Sequence, residues 1–508
     1  MKSRIFNSIR NTGYAFLSQG LSSILAFITR TVFINTLGRN YLGINGLFSD
    51  ILTLLSLAEL GVGTAIIYSM YKPFAEKDEK KVAALLNLYG KVYTILGIVV
   101  TLIGLSLIPF LSFFISDVSL IPDLKIIYLL YLLNTSFSYF FIYKKSMLIV
   151  SQKMYVASKI QMMIITIQSI LQIVVLLVFN NIIFYLLVQV VLVLVNNIYI
   201  SIYVNNKFRY LKVYKSERVD SKTKSEIFKN ISAMFLSKLS SVIVTSTDNI
   251  LISKYVSTVV LGYYSNYTLF VMFIRQIFSK LFDSITGSVG NLVAIESKEK
   301  AKEVFENILF VSFWLVGLFS IMFFILINPF IDIWIGSEYL LSRDIVFWIC
   351  LNLYMRFIRN PSLTYIDTYG LFNKMKWKCV LEAIINFTSS LFYLKVLNLG
   401  ILGVLLGTFT SNICTNFWYE PHVIYINKFN VSTKSYFIKF FKYLFVVLLS
   451  GLVAFKLCNI VFSTIKILNF IINIIICMIV INCIFFIFFH RSKEFKYLQN
   501  IIKRVNKK

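Results

Sequence analysis

Fourteen apolar runs, each of about 20 residues or more, follow one another along this chain with only short gaps between them. A helix of that length matches the ~30 Å hydrocarbon layer of a bilayer. Backbone polar groups in lipid must be paired within the segment itself, so the runs read as transmembrane α-helices. They fall near 13–35, 44–69, 83–115, 124–148, 157–179, 182–203, 231–253, 262–291, 304–328, 342–368, 375–397, 400–420, 437–457 and 466–489. Of 508 residues, 58% are hydrophobic and 14% charged, whereas soluble chains carry about 25% charged residues. The expected fold is all-α and integral to the membrane, with no soluble domain of any size. The first run follows a basic start, Met1–Arg10, and shows no small-residue cleavage motif, so it is expected to stay as a helix.

The gaps alternate sharply in charge. One set holds 36 Lys and Arg, including the eight between Lys207 and Lys229 and the seven between Arg491 and Lys508. The opposite set holds six: Arg39, Lys125, Lys254, Arg343, Lys395 and Lys466. The positive-inside rule makes the first set cytoplasmic, which puts both termini inside and requires an even number of helices. The net charge of +27 is then a topology signal and an attraction to anionic lipid headgroups; no nucleic-acid partner is expected. The tail repeats Phe495, Leu498, Ile502 and Val505 at helical spacing among cations, the pattern of an amphipathic helix on the inner leaflet.

Leu42-Gly43 and Leu261-Gly262 follow similar strings 219 residues apart. Together with the basic stretch, they suggest an N-terminal lobe at 1–203, a cytoplasmic linker at 204–230 and a C-terminal lobe at 231–427. Two extra helices at 428–489 and a basic tail at 490–508 complete the chain. Repeated lobes are a common transporter plan.

No phosphate-binding GxxxxGK[ST] loop, GxSxG elbow or HExxH zinc motif occurs. The six cysteines lie in or beside apolar runs without a CxxC pair, and His422 and His490 sit at the ends of such runs. No enzyme chemistry and no resident cofactor or metal is expected. What remains is charge inside the membrane, at roughly 2.5–3.5 kcal/mol per residue, which usually faces a cavity or a partner. The residues are Arg30, Glu59, Lys91, Lys238, Asp248, Arg275, Lys280, Asp283, Arg356, Arg359, Asp367 and Glu382. Arg30, Arg275 and Arg356 lie deepest. Arg356 and Arg359, three apart on one helix face, can grip a phosphate, and Pro361 should kink that helix.

The block "YLGINGLFSDILTLLSLAELGVGTAIIYSMYKP" at 41–73 resembles the second-helix signature of bacterial polysaccharide flippases of the Wzx type. These belong to the multidrug/oligosaccharidyl-lipid/polysaccharide (MOP) exporter superfamily. "STDNILISKYVSTVVLGYYSNY" (246–267), "SVGNLVA" (288–294), "NPFIDIWIGSEYLLS" (328–342) and "GILGVLLGT" (400–408) resemble its second-lobe blocks. The resemblance implies a MATE-like fold with twelve core helices in two lobes around a V-shaped cavity. It also implies passage of a polyprenyl-pyrophosphate-linked oligosaccharide across the bacterial cytoplasmic membrane, for capsule, O-antigen or exopolysaccharide. It maps the family's functional positions onto Arg30, Glu59 and Asp248. On chemistry, Arg275, Arg356 and Arg359 join the substrate-binding set. A lipid II flippase or a multidrug exporter of the same superfamily is the alternative. Membrane lipids are further expected partners, and a glycan polymerase is a candidate one. For the driving force, Asp248, Glu382, Asn386 and Thr408 offer oxygen ligands for a sodium ion or a titrating proton.

Overall fold

The computed structural model describes residues 2–56, 62–115, 122–461 and 464–505. Glu59 lies outside them, and so do the side chains of Lys238 and Asp283. The described residues form helices joined by short turns, in two compact units, Met1–Gly262 and Tyr263–Lys508.

In the first unit, α1 (Lys2–Leu37) is followed by α2 (Arg39–Leu55), α3 (Val62–Ala75), α4 (Glu79–Ser106) and the short α5 (Leu111–Phe114). A second stretch comprises α6 (Leu124–Tyr139), α7 (Lys145–Val150), α8 (Met154–Phe179), α9 (Ile182–Lys207), α10 (Tyr210–Val213) and α11 (Ser221–Tyr255). The α8–α9 hairpin shows how the turns are written. Asn180 takes the left-handed conformation (φ 46°) that ends α8. Asn181 then caps α9, its Oδ1 accepting from the Ile183 amide at 2.7 Å. Helix α1 packs along α8, α9 lies against both α6 and α8, and α11 packs on α2 and α3. The division by packing therefore falls after Gly262, because α11, beyond the basic stretch, is fastened to the helices before it. Gly43 opens the α2 contact: a Cβ there would sit 1.9 Å from the Thr258 carbonyl oxygen, so no other residue fits.

The second unit holds α12 (Thr258–Ile295) from Tyr263 onward, α13 (Lys298–Trp334), α14 (Arg343–Phe357), α15 (Asn360–Thr368) and α16 (Phe372–Lys395). Helices α17 (Ile401–Ser411) and α18 (Phe417–Ile424), α19 (Lys434–Ile460), α20 (Lys466–Phe489) and α21 (Lys493–Val505) complete it. Helix α13 is the spine, packed against α14, α19 and α20 with Phe305, Phe310, Phe313 and Val316 fully buried. Ser297 caps it by accepting from the Lys300 amide. At 37 residues it is about 55 Å long, so it projects well beyond the hydrocarbon layer. The tail does form a helix, α21. Its first turn docks on the unit through Phe495 stacked on Trp314 and Glu494 paired with Lys439 at 2.6 Å.

The fourteen expected runs correspond to rods, two of them broken within the described residues: α6 with α7, and α14 with α15. Large apolar residues stand exposed along them, among them Leu102, Ile170, Leu177, Ile475 and Ile487. A water-facing surface would not carry such stripes; a lipid-facing one does. Among the described residues, eight helices are long and apolar enough to cross a membrane by themselves. The other rods hold Asp50, Asp248, Arg275, Arg356, Arg359, Lys378, Glu382 and Glu420. They depart from the apolar pattern by carrying these charges.

Candidate functional site

A buried charge network occupies the second unit, built from the continuous α16 and two irregular rods, α14–α15 and α17–α18. Pro361 cannot continue the ladder of α14, and it stands in the first turn of α15, where its missing N–H costs nothing. The rod therefore breaks between Phe357 and Asn360, as the expected kink at Pro361 requires, and Arg359 sits at the corner. The third rod runs as one helix from Ile401 to Phe429, widened to π-helical turns at Asn412–Asn416 and Tyr425–Phe429. Pro421 lies between the two widened turns. Such turns insert an extra residue and are frequent at functional sites. They present Glu420 and Asn416 to α16.

Glu420 has no exposed surface. Arg359 clasps it with two guanidinium nitrogens, Nε at 2.9 Å, and the Lys378 ammonium donates to it at 3.0 Å. Lys378 also donates to Glu382 at 3.1 Å, and Glu382 accepts from the Asn416 amide at 2.7 Å. Arg359 lies 3.9 Å from Glu382. Two cations and two carboxylates thus neutralise one another in a nearly dry setting, where each alone would cost several kcal/mol to bury.

Arg356 stands apart from that balance. It lies on the last turn of α14, half-buried, among the charges of Arg275, Arg359 and Glu382. Among the described residues it makes no salt bridge. Arg275 on α12 is exposed. With these two arginines counted, the region carries an excess of positive charge.

One turn beyond Glu382 on α16, Asn386 is buried and donates to Thr408 Oγ1 at 3.1 Å. Gly407 permits that approach, since a Cβ there would meet the Ser390 backbone nitrogen at 2.7 Å. The expected coupling residues Glu382, Asn386 and Thr408 therefore share the α16–α17 face, with Glu382 drawn into the ion network. Asp248, the fourth, belongs to α11 in the first unit. There its neighbour Asn249 donates to the Asp50 carboxylate at 2.6 Å. Lys254, further along α11, rests its ammonium over the Phe113 ring.

Arg30 lies in the interior of the first unit, beside Tyr185 of α9, whose ring meets Phe33 at 5.2 Å. Gln172, nearly fully buried, donates to the Tyr185 carbonyl, and Tyr131 donates to Asn45 at 2.8 Å. A polar lining runs through helices that otherwise face lipid.

Three charges were not singled out in the sequence. Asp50 carried the same signal as Glu59, a carboxylate inside an apolar run. Glu420 looked like the last residue of a helix over 400–420, and Lys378 like part of a basic gap. Both become interior because α16 starts at Phe372 and the α17–α18 rod continues to Phe429.

The fold and the site define a multi-span membrane protein with a charged interior. The family of polysaccharide biosynthesis proteins matches residues 8–289, more than half of the chain. The chain belongs to that family. A comparison with curated proteins found no significant match. Among solved structures, "Lipid II flippase MurJ, inward closed conformation" is similar with a TM-score of 0.63 at 16% identity, covering 93% of this chain and 98% of that one. An inward-facing multidrug resistance MATE family transporter of the MOP superfamily gives 0.61 at 13% identity, covering 82% and 99%. The D35N mutant of the Vibrio cholerae MATE transporter VcmN gives 0.56 at 15%, covering 85% and 100%. At these identities the likeness is one of fold, and the fold is MATE-like.

Proposed function

We propose that this protein flips a polyprenyl-pyrophosphate-linked oligosaccharide unit across the bacterial cytoplasmic membrane, both termini inside, for assembly of a cell-surface polysaccharide. One observation carries the reading: Arg356, an interior guanidinium with no salt-bridge partner among the described residues, held beside Arg275 and Arg359 on rods of a membrane protein. A diphosphate is the membrane-borne anion whose oxygens best fit such donors. Arg356 and Arg275 meet it first, and Arg359 adds its fork when it exchanges Glu420 for a phosphate. In the first unit, Arg30 and Glu59 are the candidate substrate contacts. Membership of a polysaccharide biosynthesis family supports the glycan part of the substrate. A glycan polymerase outside is the consumer of the product. Direction comes from that consumption or from a sodium or proton gradient acting through Asp248, Glu382, Asn386 and Thr408.

Arg356→Ala is expected to abolish surface glycan while the protein stays in the membrane at normal abundance. Equal loss of protein and glycan would make Arg356 structural and remove the main support. Loss of peptidoglycan synthesis with surface glycan intact would move the substrate to lipid II.

A further inference from the structure

The basic gaps of the first unit hold a second cationic centre, distinct in its residues from the interior arginines. Helix α6 stops at Tyr139, and the chain turns through Phe141 in a left-handed conformation (φ 66°) into a single 3-10 turn ending at Lys144. That break is held open. The buried Asn197 of α9 donates its amide to the carbonyls of Phe137, Ser138 and Phe140 at 3.1–3.3 Å. Tyr143 is pressed against α4, where a Cβ on Gly90 would stand 2.9 Å from its ring. Lys144 is thereby fixed toward α9, and it donates to Asn205 Oδ1.

The loop after α10 is fastened just as firmly. Asn87 of α4 donates to the carbonyls of Tyr214 and Glu217 at 3.0 and 3.2 Å. This clamp brings Lys212 and Lys215 into the electrostatic neighbourhood of Lys144. The nearby acid Glu217 is occupied by Lys80 at 3.3 Å. Among the described residues Lys144, Lys212 and Lys215 make no salt bridge. At Lys153, over the Phe208 ring, burial and the neighbouring Lys207 pull the ammonium below its ordinary range. Two polar clamps thus hold like charges together, at a repulsive cost that an anion would remove.

We propose that Lys144, Lys212 and Lys215, with Asn205, form a binding site for a phosphate group, whose source is the headgroup of an anionic phospholipid in the adjoining leaflet. Ammonium groups gathered in the gaps that follow membrane helices suit a phosphodiester as point charges, and such basic clusters favour anionic headgroups. The site is independent of the transported substrate.

The full-length protein in mild detergent is titrated with phosphatidylglycerol, with phosphatidylcholine and with inorganic phosphate, and occupancy is counted by native mass spectrometry. One saturable phosphatidylglycerol site is expected in the wild type, with none for phosphatidylcholine. The Lys144→Gln/Lys212→Gln/Lys215→Gln variant should weaken it on the order of 10- to 100-fold. A charge-matched variant, Lys222→Gln/Lys224→Gln/Lys376→Gln, should leave it intact. Asn87→Ala, which removes no charge, should also weaken it by loosening the 214–217 clamp. Occupancy by inorganic phosphate as tight as by phosphatidylglycerol would keep the phosphate site but make its ligand soluble. Equal losses in the two triple variants, or none in either, would overturn the proposal.

Discussion

At the scale of residues, the decisive fact is how completely Glu420 depends on Arg359 and Lys378. A carboxylate with no exposed surface survives as an anion only with both cations in contact, and removing one side of such a pair costs about 3–5 kcal/mol. Glu420→Gln should therefore lower the melting temperature of the purified protein markedly, because it leaves two buried cations to share the single carboxylate of Glu382. A Glu420→Leu/Arg359→Met/Lys378→Met/Glu382→Leu replacement of the whole network should recover most of the loss, since apolar groups of similar volume need no partners. A smaller loss in the single variant than in the quadruple one would contradict the assignment. Gly407→Ala is a sharper steric test. Its methyl would fall 2.0 Å from Ser390 Oγ and 2.7 Å from that residue's backbone nitrogen, so α16 and α17 must separate. Destabilisation by about 1–3 kcal/mol is expected in thermal or denaturant unfolding, with none for Gly46→Ala, where the space is open. Arg30, Arg275, Arg356, Arg359 and Glu382 were legible as charges in apolar runs, for the plain reason that such charges are expensive. Their pairings were not, because a pairing depends on which turn of another helix stands opposite.

At the scale of elements, the breaks matter more than the helices. The break after α6 places Lys144, the break at Pro361 turns Arg359 toward Glu420, and the π turns of the Ile401–Phe429 rod bring Asn416 and Glu420 to α16. Proline announces one of these in the sequence. The others rest on contacts between distant segments, such as Asn197 with the carbonyls at 137, 138 and 140, and no local pattern encodes them. Likewise the end of the twelfth apolar run, read at residue 420, hid nine further helical residues, because Glu420 and Pro421 look like a terminus. Asn197→Ala leaves three carbonyls without their shared donor. Hydrogen exchange in the 137–144 segment should accelerate by tenfold or more, on the scale of ~1 kcal/mol per lost hydrogen bond, while α4 keeps its protection. Unchanged exchange would show that the break is held by packing alone.

At the scale of the whole molecule, the apolar periodicity and the alternation of charged gaps made the all-α membrane fold readable before any coordinates. What they could not give was the grouping of helices. Packing assigns α11 to the unit ending at Gly262, although it follows the basic 204–230 stretch. The proposed orientation is testable by cysteine labelling after the native thiols are replaced. A cysteine at Ser216 should react in intact cells only with membrane-permeant reagents, and one at Ser337 with impermeant ones; the reverse pattern would invert the topology. The central claim, passage of a diphosphate-linked glycan through a site that needs Arg356, is tested most directly in reconstituted vesicles. Fluorescent polyprenyl-diphosphate oligosaccharide and its polyprenyl-monophosphate counterpart are compared for leaflet exchange, with wild-type protein and with Arg356→Ala. The account predicts rapid exchange of the diphosphate by the wild type, slower exchange of the monophosphate, and loss of diphosphate exchange in the variant. Equal exchange of both lipids, or an Arg356→Ala protein as fast as the wild type, would contradict it.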